Sequence, residues 1–139
     1  MRRPRPFVRR LMAQDRATAE WWLRHYREIS RELDAARELE AQRIDLTGGR
    51  PSGPSDPTFR QAHRILSDKE TRRLRAAVVA MDSVMECLPE KGRWLVRALW
   101  IDQELGDHGM QRRLYMSPNR YYYFRRAILE QFAEKLISL

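Results

Sequence analysis

The segment MSPNRYYYFRRAILEQFAEKLI, residues 116–137, predicts the helix around which the C-terminal part of the chain is built. Ser117 is of a type that accepts a backbone N–H at a helix start, and Pro118 fits the first helical position. The apolar side chains that follow recur at spacings of three and four residues, as they do on one face of a helix. We therefore predict a helix over residues 118–137 that buries this face. Its members are Tyr121, Phe124, Ile128 and Phe132, with Leu129, Ala133 and Leu136 beside them.

The opposite side of this predicted helix is polar, cationic and aromatic. Residues 111–126 include five arginines and neither Asp nor Glu. A shorter helix is predicted over residues 107–114, and Tyr115 and Met116 form the turn between the two helices. The side chains that fall off the apolar face of the longer helix are Asn119, Arg120, Tyr122, Tyr123 and Arg126.

A short helix, a tight turn and a capped second helix are typical of DNA-binding helix-turn-helix motifs, whose second helix enters the major groove. Asn can pair with adenine and Arg with guanine or phosphate, while a Tyr hydroxyl can reach a phosphate. Backbone N–H groups near Ser117 can hold a further phosphate. The sequence thus favours a helix-turn-helix at residues 107–137. Its predicted base-facing residues are Asn119, Tyr122 and Tyr123, and its predicted phosphate-holding residues are Arg112, Arg113, Arg120 and Arg126.

Two further helices are predicted before this motif. Ser67 and Glu70 have the spacing of a capping box, in which the serine caps the helix and the glutamate reaches back. Pro89 ends that helix and suits the first turn of the next, which extends to about residue 103, before a break at Gly106. The predicted core residues are Leu74, Val78, Met81, Met85 and Leu88 in the first, and Trp94, Leu95, Ala98, Leu99 and Ile101 in the second.

The composition of residues 1–12 and 47–57 predicts two segments that do not contribute to a hydrophobic core. Residues 1–12 are rich in Arg and contain two prolines, which predicts a flexible basic arm. Residues 47–57, TGGRPSGPSDP, predict a linker. Asp56 and Pro57 then resemble a helix cap, so a short helix is expected up to about Leu66. Residues 58–139 would form one helical domain.

A single long helix is predicted over residues 13–46. Its apolar stripe consists of Trp22, Tyr26, Ile29 and Leu33, with mixed charges on the other faces. A stripe this narrow on a long helix favours pairing with a second copy of the chain. Packing against the chain's own C-terminal part is the alternative.

The composition points to a charged, all-α protein that binds polyanions. The 139 residues carry a net charge of +8 and a pI of about 10.3, which favours DNA, RNA or an anionic membrane. An arginine-biased genome is the alternative, because only three of the 27 basic residues are Lys. Cys87 is the only cysteine, which fits a reducing cytosol. Neither a signal peptide nor a transmembrane run is apparent.

Catalytic and metal-binding patterns are not apparent in the sequence. The three histidines, His25, His63 and His108, are scattered without ligand spacing. No Gly-rich loop follows a strand, and no paired carboxylates stand out. We therefore expect no cofactor, no metal and no enzymatic activity.

Three stretches resemble a known family, the RinA/ArpU-type transcriptional regulators of bacteriophages and prophages. The first is the linker with its following helix, the second covers the next two helices, and the third is the helix-turn-helix. They read GGRPSGPSDPTFRQAHRIL (residues 48–66), LSDKETRRLRAAVVAMDSVMECLPEKGRWLVRALW (residues 66–100) and LGDHGMQRRLYMSPNRYYYFRRAILEQFAEKL (residues 105–136).

The resemblance implies a module similar to the DNA-reading C-terminal region of primary sigma factors. It also implies a role in phage late gene expression, such as activation of a packaging or lysis operon in the cytoplasm of the bacterial host. Matched onto the sigma-like pattern, the groove-facing positions are Pro118, Asn119, Tyr122 and Tyr123, and the buried ones are Tyr121 and Phe124.

The expected function is therefore sequence-specific binding of double-stranded DNA by a transcriptional regulator, with RNA polymerase as a further partner. A homodimer through the N-terminal helix would suit a two-fold operator. Two alternatives stay open at this level: a helical protein-interaction module that acts on RNA polymerase, and an RNA-binding regulator.

Overall fold

The computed structural model describes residues 11–46 and 66–139, and each of these two ranges consists of helices with short turns between them. The predicted all-α class is confirmed. The linker, the short helix expected before Leu66, and residues 1–10 of the predicted basic arm lie outside the described residues. The helices are α1 (Ala13–Arg24), α2 (Tyr26–Leu46), α3 (Asp68–Cys87), α4 (Glu90–Leu95) with a π-helical continuation (Val96–Ile101), α5 (Asp107–Arg113) and α6 (Pro118–Ile137).

The N-terminal helix that the sequence predicts as one element is interrupted at His25 and forms α1 and α2. The His25 ring stacks on Trp21 with 4.2 Å between ring centroids. Its Nδ1 lies 2.7 Å from the Trp21 carbonyl oxygen, which also accepts the His25 backbone N–H. The interruption is confined to the backbone angles of His25, φ −100° and ψ 6°, because the backbone hydrogen bonds from His25 to Trp21 and from Ile29 to His25 are both formed.

The predicted apolar stripe of this N-terminal part packs against the chain itself. Trp22 and Ile29 are buried, and Tyr26 and Leu33 are partly buried against the same core. The Tyr26 hydroxyl donates to Asp82 of α3 over 2.6 Å. A homodimer stays a prediction, but one formed through this stripe would have to displace these intramolecular contacts.

Helix α3 begins as the sequence predicts. The Ser67 hydroxyl accepts the Glu70 backbone N–H at 3.2 Å, and Pro89 separates α3 from α4. The core prediction for α4 needs one correction, because Trp94 is 46% exposed while Val96 and Trp100 are buried. Gly92, Leu95, Val96 and Leu99 are buried at helical spacing, and Trp94 lies off that face, before the π-helical segment begins.

Helix α6 lies across the core and contacts both α1 and α3. Tyr121, Ile128 and Phe132 are buried, as predicted, whereas Phe124 is only partly buried at the edge of the same core. At Gly92 a Cβ would lie 3.1 Å from the Ile128 side chain, so α4 and α6 approach closely there. None of the helices in residues 11–46 and 66–139 combines the length and apolar character needed to cross a membrane.

Candidate nucleic-acid interface

The turn between α5 and α6 closes through two backbone hydrogen bonds. The Tyr115 N–H donates to the Arg112 carbonyl at 3.1 Å, and the Met116 N–H donates to the Gln111 carbonyl at 3.3 Å. This pair of bonds defines a Schellman motif, which places its penultimate residue in the left-handed conformation. Tyr115 occupies that position with φ 55°. The turn therefore ends α5 sharply and directs the chain into the start of α6.

The start of α6 is capped by Ser117, whose hydroxyl accepts the Arg120 backbone N–H at 3.4 Å. Pro118 occupies the first helical turn, where its missing N–H costs nothing. Both side chains are exposed. The side chains of residues 117–120 thus face outwards rather than into the core.

The exposed face of α6 centres on Asn119 and Tyr123, which lie one turn apart. Asn119 is exposed and Tyr123 is 78% exposed, so the core does not account for either side chain. Tyr122 is 53% exposed and lies at the edge of this face. Its ring packs edge-on against Tyr121 and lines a groove between α1 and α6. Of the three predicted base-facing residues, Asn119 and Tyr123 are therefore the most outward.

Three of the predicted phosphate-holding arginines are exposed and lack an acidic partner. Arg112 and Arg113 end α5 and Arg120 lies in the first turn of α6. Within residues 11–46 and 66–139, no ion pair involves any of them. Arg126 differs, because its Nε lies 3.1 Å from the Glu130 carboxylate. That contact is an exposed pair one helical turn apart, which contributes little stability and can open for a phosphate.

Arg125, the fifth arginine of the acid-free segment, has a structural role that the sequence pattern does not reveal. Its side chain is 21% exposed and contacts Asp107 at 3.0 Å and Glu20 at 3.3 Å. Its guanidinium also lies 5.2 Å from the centroid of the buried Trp100 ring. Arg125 thus ties α6 to α1, α5 and the π-helical turn. Because two carboxylates already neutralise it, we do not count it among the DNA-facing residues.

The same Asp107 carboxylate fixes the angle between the two helices of the motif. It accepts the Tyr121 hydroxyl at 2.7 Å as well as the Arg125 guanidinium. Burial and this hydrogen bond to Asp107 raise the pKa of Tyr121 well above its ordinary value. Asp107, the first residue of α5, is therefore joined to α6 by a hydrogen bond from the neutral Tyr121 and by an ion pair with Arg125.

The assembled surface is suited to contact a polyanion. It combines uncompensated guanidiniums, an amide, phenol hydroxyls and a capped helix start on one exposed side of the molecule. No group of three or more His, Cys, Asp or Glu side chains in the described part of the chain is placed to hold a metal ion.

Comparisons with known protein families, characterised proteins and solved structures gave no match to this chain. The resemblance to RinA/ArpU-type regulators therefore stays a prediction from the motifs quoted above. The candidate interface is defined by its own residues, namely Arg112, Arg113, Ser117, Pro118, Asn119, Arg120, Tyr122, Tyr123 and Arg126.

Proposed function

We propose that the protein is a transcriptional regulator that binds double-stranded DNA, with the start of α6 in the major groove. The observation that carries this proposal is the exposed face of α6 around Asn119 and Tyr123. It is free of acids, it begins at a capped helix start, and exposed arginines without acidic partners flank it. A helix and a preceding turn of this kind present base-reading and phosphate-holding groups together.

Within this proposal the residues divide into two roles. Asn119 and Tyr123, with Tyr122 at the edge, contact base edges, because they lie on the outermost face of the first turns. Arg112, Arg113 and Arg120 hold phosphates, which adds affinity but little choice of sequence. Arg126 contributes once its contact with Glu130 opens.

The biological role that we propose follows from the resemblance to phage regulators. The protein would activate late genes, such as a packaging or lysis operon, and contact the RNA polymerase of a bacterial host. The net charge of +8 supports a polyanionic partner but does not by itself separate DNA from RNA. The rigid capped helix favours DNA, since a major groove admits a helix and the deep, narrow groove of an RNA duplex does not.

Selection of bound duplexes from a random pool tests DNA binding and determines the preferred site in one experiment. We expect a single enriched sequence whose affinity falls steeply with salt. Enrichment of RNA hairpins in a parallel RNA pool, with no enriched duplex, would favour an RNA-binding regulator. Failure of both pools would leave a protein-interaction module that acts on RNA polymerase.

A further inference from the structure

Tyr115 has a combination of features that its place in the fold does not require. Its φ of 55° is in the left-handed region, which is unfavourable for any residue with a Cβ. Glycine is the usual residue at this position of a Schellman motif because it has no such penalty. The turn therefore carries a strained tyrosine where a glycine would form the same two backbone hydrogen bonds.

Packing of the Tyr115 side chain does not offset the free-energy cost of this backbone conformation. Tyr115 is 94% exposed, the most exposed of the large apolar or aromatic residues in the described part of the chain. The hydrophobic contact of the turn is made instead by Met116, which packs partly against the core. No hydrogen bond of the Tyr115 hydroxyl occurs within residues 11–46 and 66–139. The ring and the phenol group are thus fully available to a partner.

The surroundings of Tyr115 indicate which partner this is. It lies two residues after Arg113 and two residues before the Ser117 cap, inside the segment 111–126 that contains no acid. A phenol O–H donates to phosphate oxygens, and its ring can lie along a sugar.

We propose that Tyr115 is an additional contact to the DNA backbone, made by the turn itself at the edge of the groove. This inference rests on the proposed function, since it assumes that α6 enters the major groove. The contact positions the motif on the duplex without reading a base. The tyrosine therefore acts as an uncharged counterpart of Arg112 and Arg113.

Equilibrium binding of the full chain to a mixed-sequence duplex of about 20 base pairs, two helical turns, tests this contact. Tyr115→Phe keeps the ring and the strained backbone and removes only the hydroxyl. We expect it to weaken binding by about three- to tenfold, the range of one hydrogen bond. The slope of log affinity against log salt should not change, because no charge is lost. Arg113→Ala is the matched control, and it should flatten that slope by about one unit.

The two inferences fail in different ways. If wild-type protein binds the duplex and Tyr115→Phe binds it equally well, the contact at Tyr115 is excluded while DNA binding stands. If folded wild-type protein binds neither this duplex nor any member of a random pool, both proposals are wrong. A loss of affinity in Tyr115→Phe with an unchanged salt slope and an unchanged melting temperature would establish the contact.

Discussion

At the scale of single residues, the neighbouring arginines Arg125 and Arg126 show how environment rather than residue type sets a role. Arg125 contacts Asp107, Glu20 and the face of Trp100, whereas Arg126 makes one exposed pair with Glu130. A partly buried cation with several partners contributes more to folding stability than an exposed ion pair does. Arg125 therefore supports the fold, whereas Arg126 can exchange Glu130 for a ligand.

We expect Arg125→Met to lower the free energy of unfolding by about 2 kcal/mol, the loss of charge-assisted hydrogen bonds. Methionine retains much of the apolar stem, so the change reports on charge rather than on packing. The matched variant Arg126→Met should change it by less than about 0.5 kcal/mol. Urea denaturation followed by circular dichroism measures both. Equal losses in the two variants would contradict the structural role of Arg125.

The strain at Tyr115 predicts a stabilising substitution. Tyr115→Gly should raise the free energy of unfolding by about 0.5–1 kcal/mol, because relief of the left-handed strain exceeds the entropy that glycine adds to the unfolded chain. Tyr123→Gly is the control, as it places glycine inside a helix and should destabilise by about 0.5 kcal/mol, the difference in helix propensity between Tyr and Gly. Loss of stability in both variants, compared by thermal melting, would show that Tyr115 is not strained.

At the scale of elements, the sequence predicts the start of those helices that begin with a recognisable capping residue. Ser117 with Pro118 and Ser67 with Glu70 define where α6 and α3 begin, and both starts agree with the structure. The break at His25 has no such signal, since neither Gly nor Pro is present, and it is visible only in the backbone angles of His25. The exposure of Trp94 and the π-helical segment that follows it likewise have no signal in the sequence.

Burial along α6 predicts a graded response to truncation. Phe132 is fully buried, so Phe132→Ala should cost about 3–5 kcal/mol. Phe124 lies at the edge of the core, so Phe124→Ala should cost clearly less, about 1–3 kcal/mol, because less apolar area is removed from the core. Denaturation midpoints of the two variants give the comparison. A larger effect at Phe124 would mean that the helix is rotated about its axis.

At the scale of the whole molecule, α1 and α2 belong to the same core as α5 and α6. Ala19 and Leu23 of α1 are fully buried in the cluster that also contains Tyr121 and Phe132 of α6. Hydrogen bonds add to this packing, as the Tyr26 hydroxyl joins α2 to Asp82 of α3. The sequence shows the apolar stripe of residues 13–46 but not its partner, because two long amphipathic helices look alike whether they pair within one chain or between two.

The tyrosine that joins α2 to α3 predicts a loss of stability at alkaline pH. Burial, with the hydrogen bond to Asp82, raises the pKa of Tyr26 from its ordinary value of 10.0 to about 12. Since the folded pKa lies above the unfolded one, this stabilisation is fully present below pH 10 and is lost as the pH rises towards 12. Melting temperatures should therefore fall over this range, and less so in Tyr26→Phe. An identical slope in wild type and Tyr26→Phe would exclude Tyr26 as a source of the effect.

The candidate site was predictable to the extent that it depends on helix periodicity. Asn119 and Tyr123 fall on the exposed face by spacing alone, and the structure places both outward. Two residues needed the structure. The sequence gives no sign that Arg125 differs from a surface arginine, because its carboxylate partners Glu20 and Asp107 lie on α1 and α5. Tyr115 reads as an ordinary turn residue, because only the backbone shows that it occupies a position suited to glycine.

The central claim, that the start of α6 reads bases in the major groove, is tested most directly with Asn119→Ala. Its affinities for the selected duplex and for a scrambled duplex of equal length are compared with those of wild type. Replacement of the amide should weaken the selected complex by about 1–3 kcal/mol, relax the choice of one base pair and leave the scrambled complex unchanged. If the folded variant bound both duplexes with wild-type affinities, Asn119 would not read a base and the account of this helix face would be contradicted.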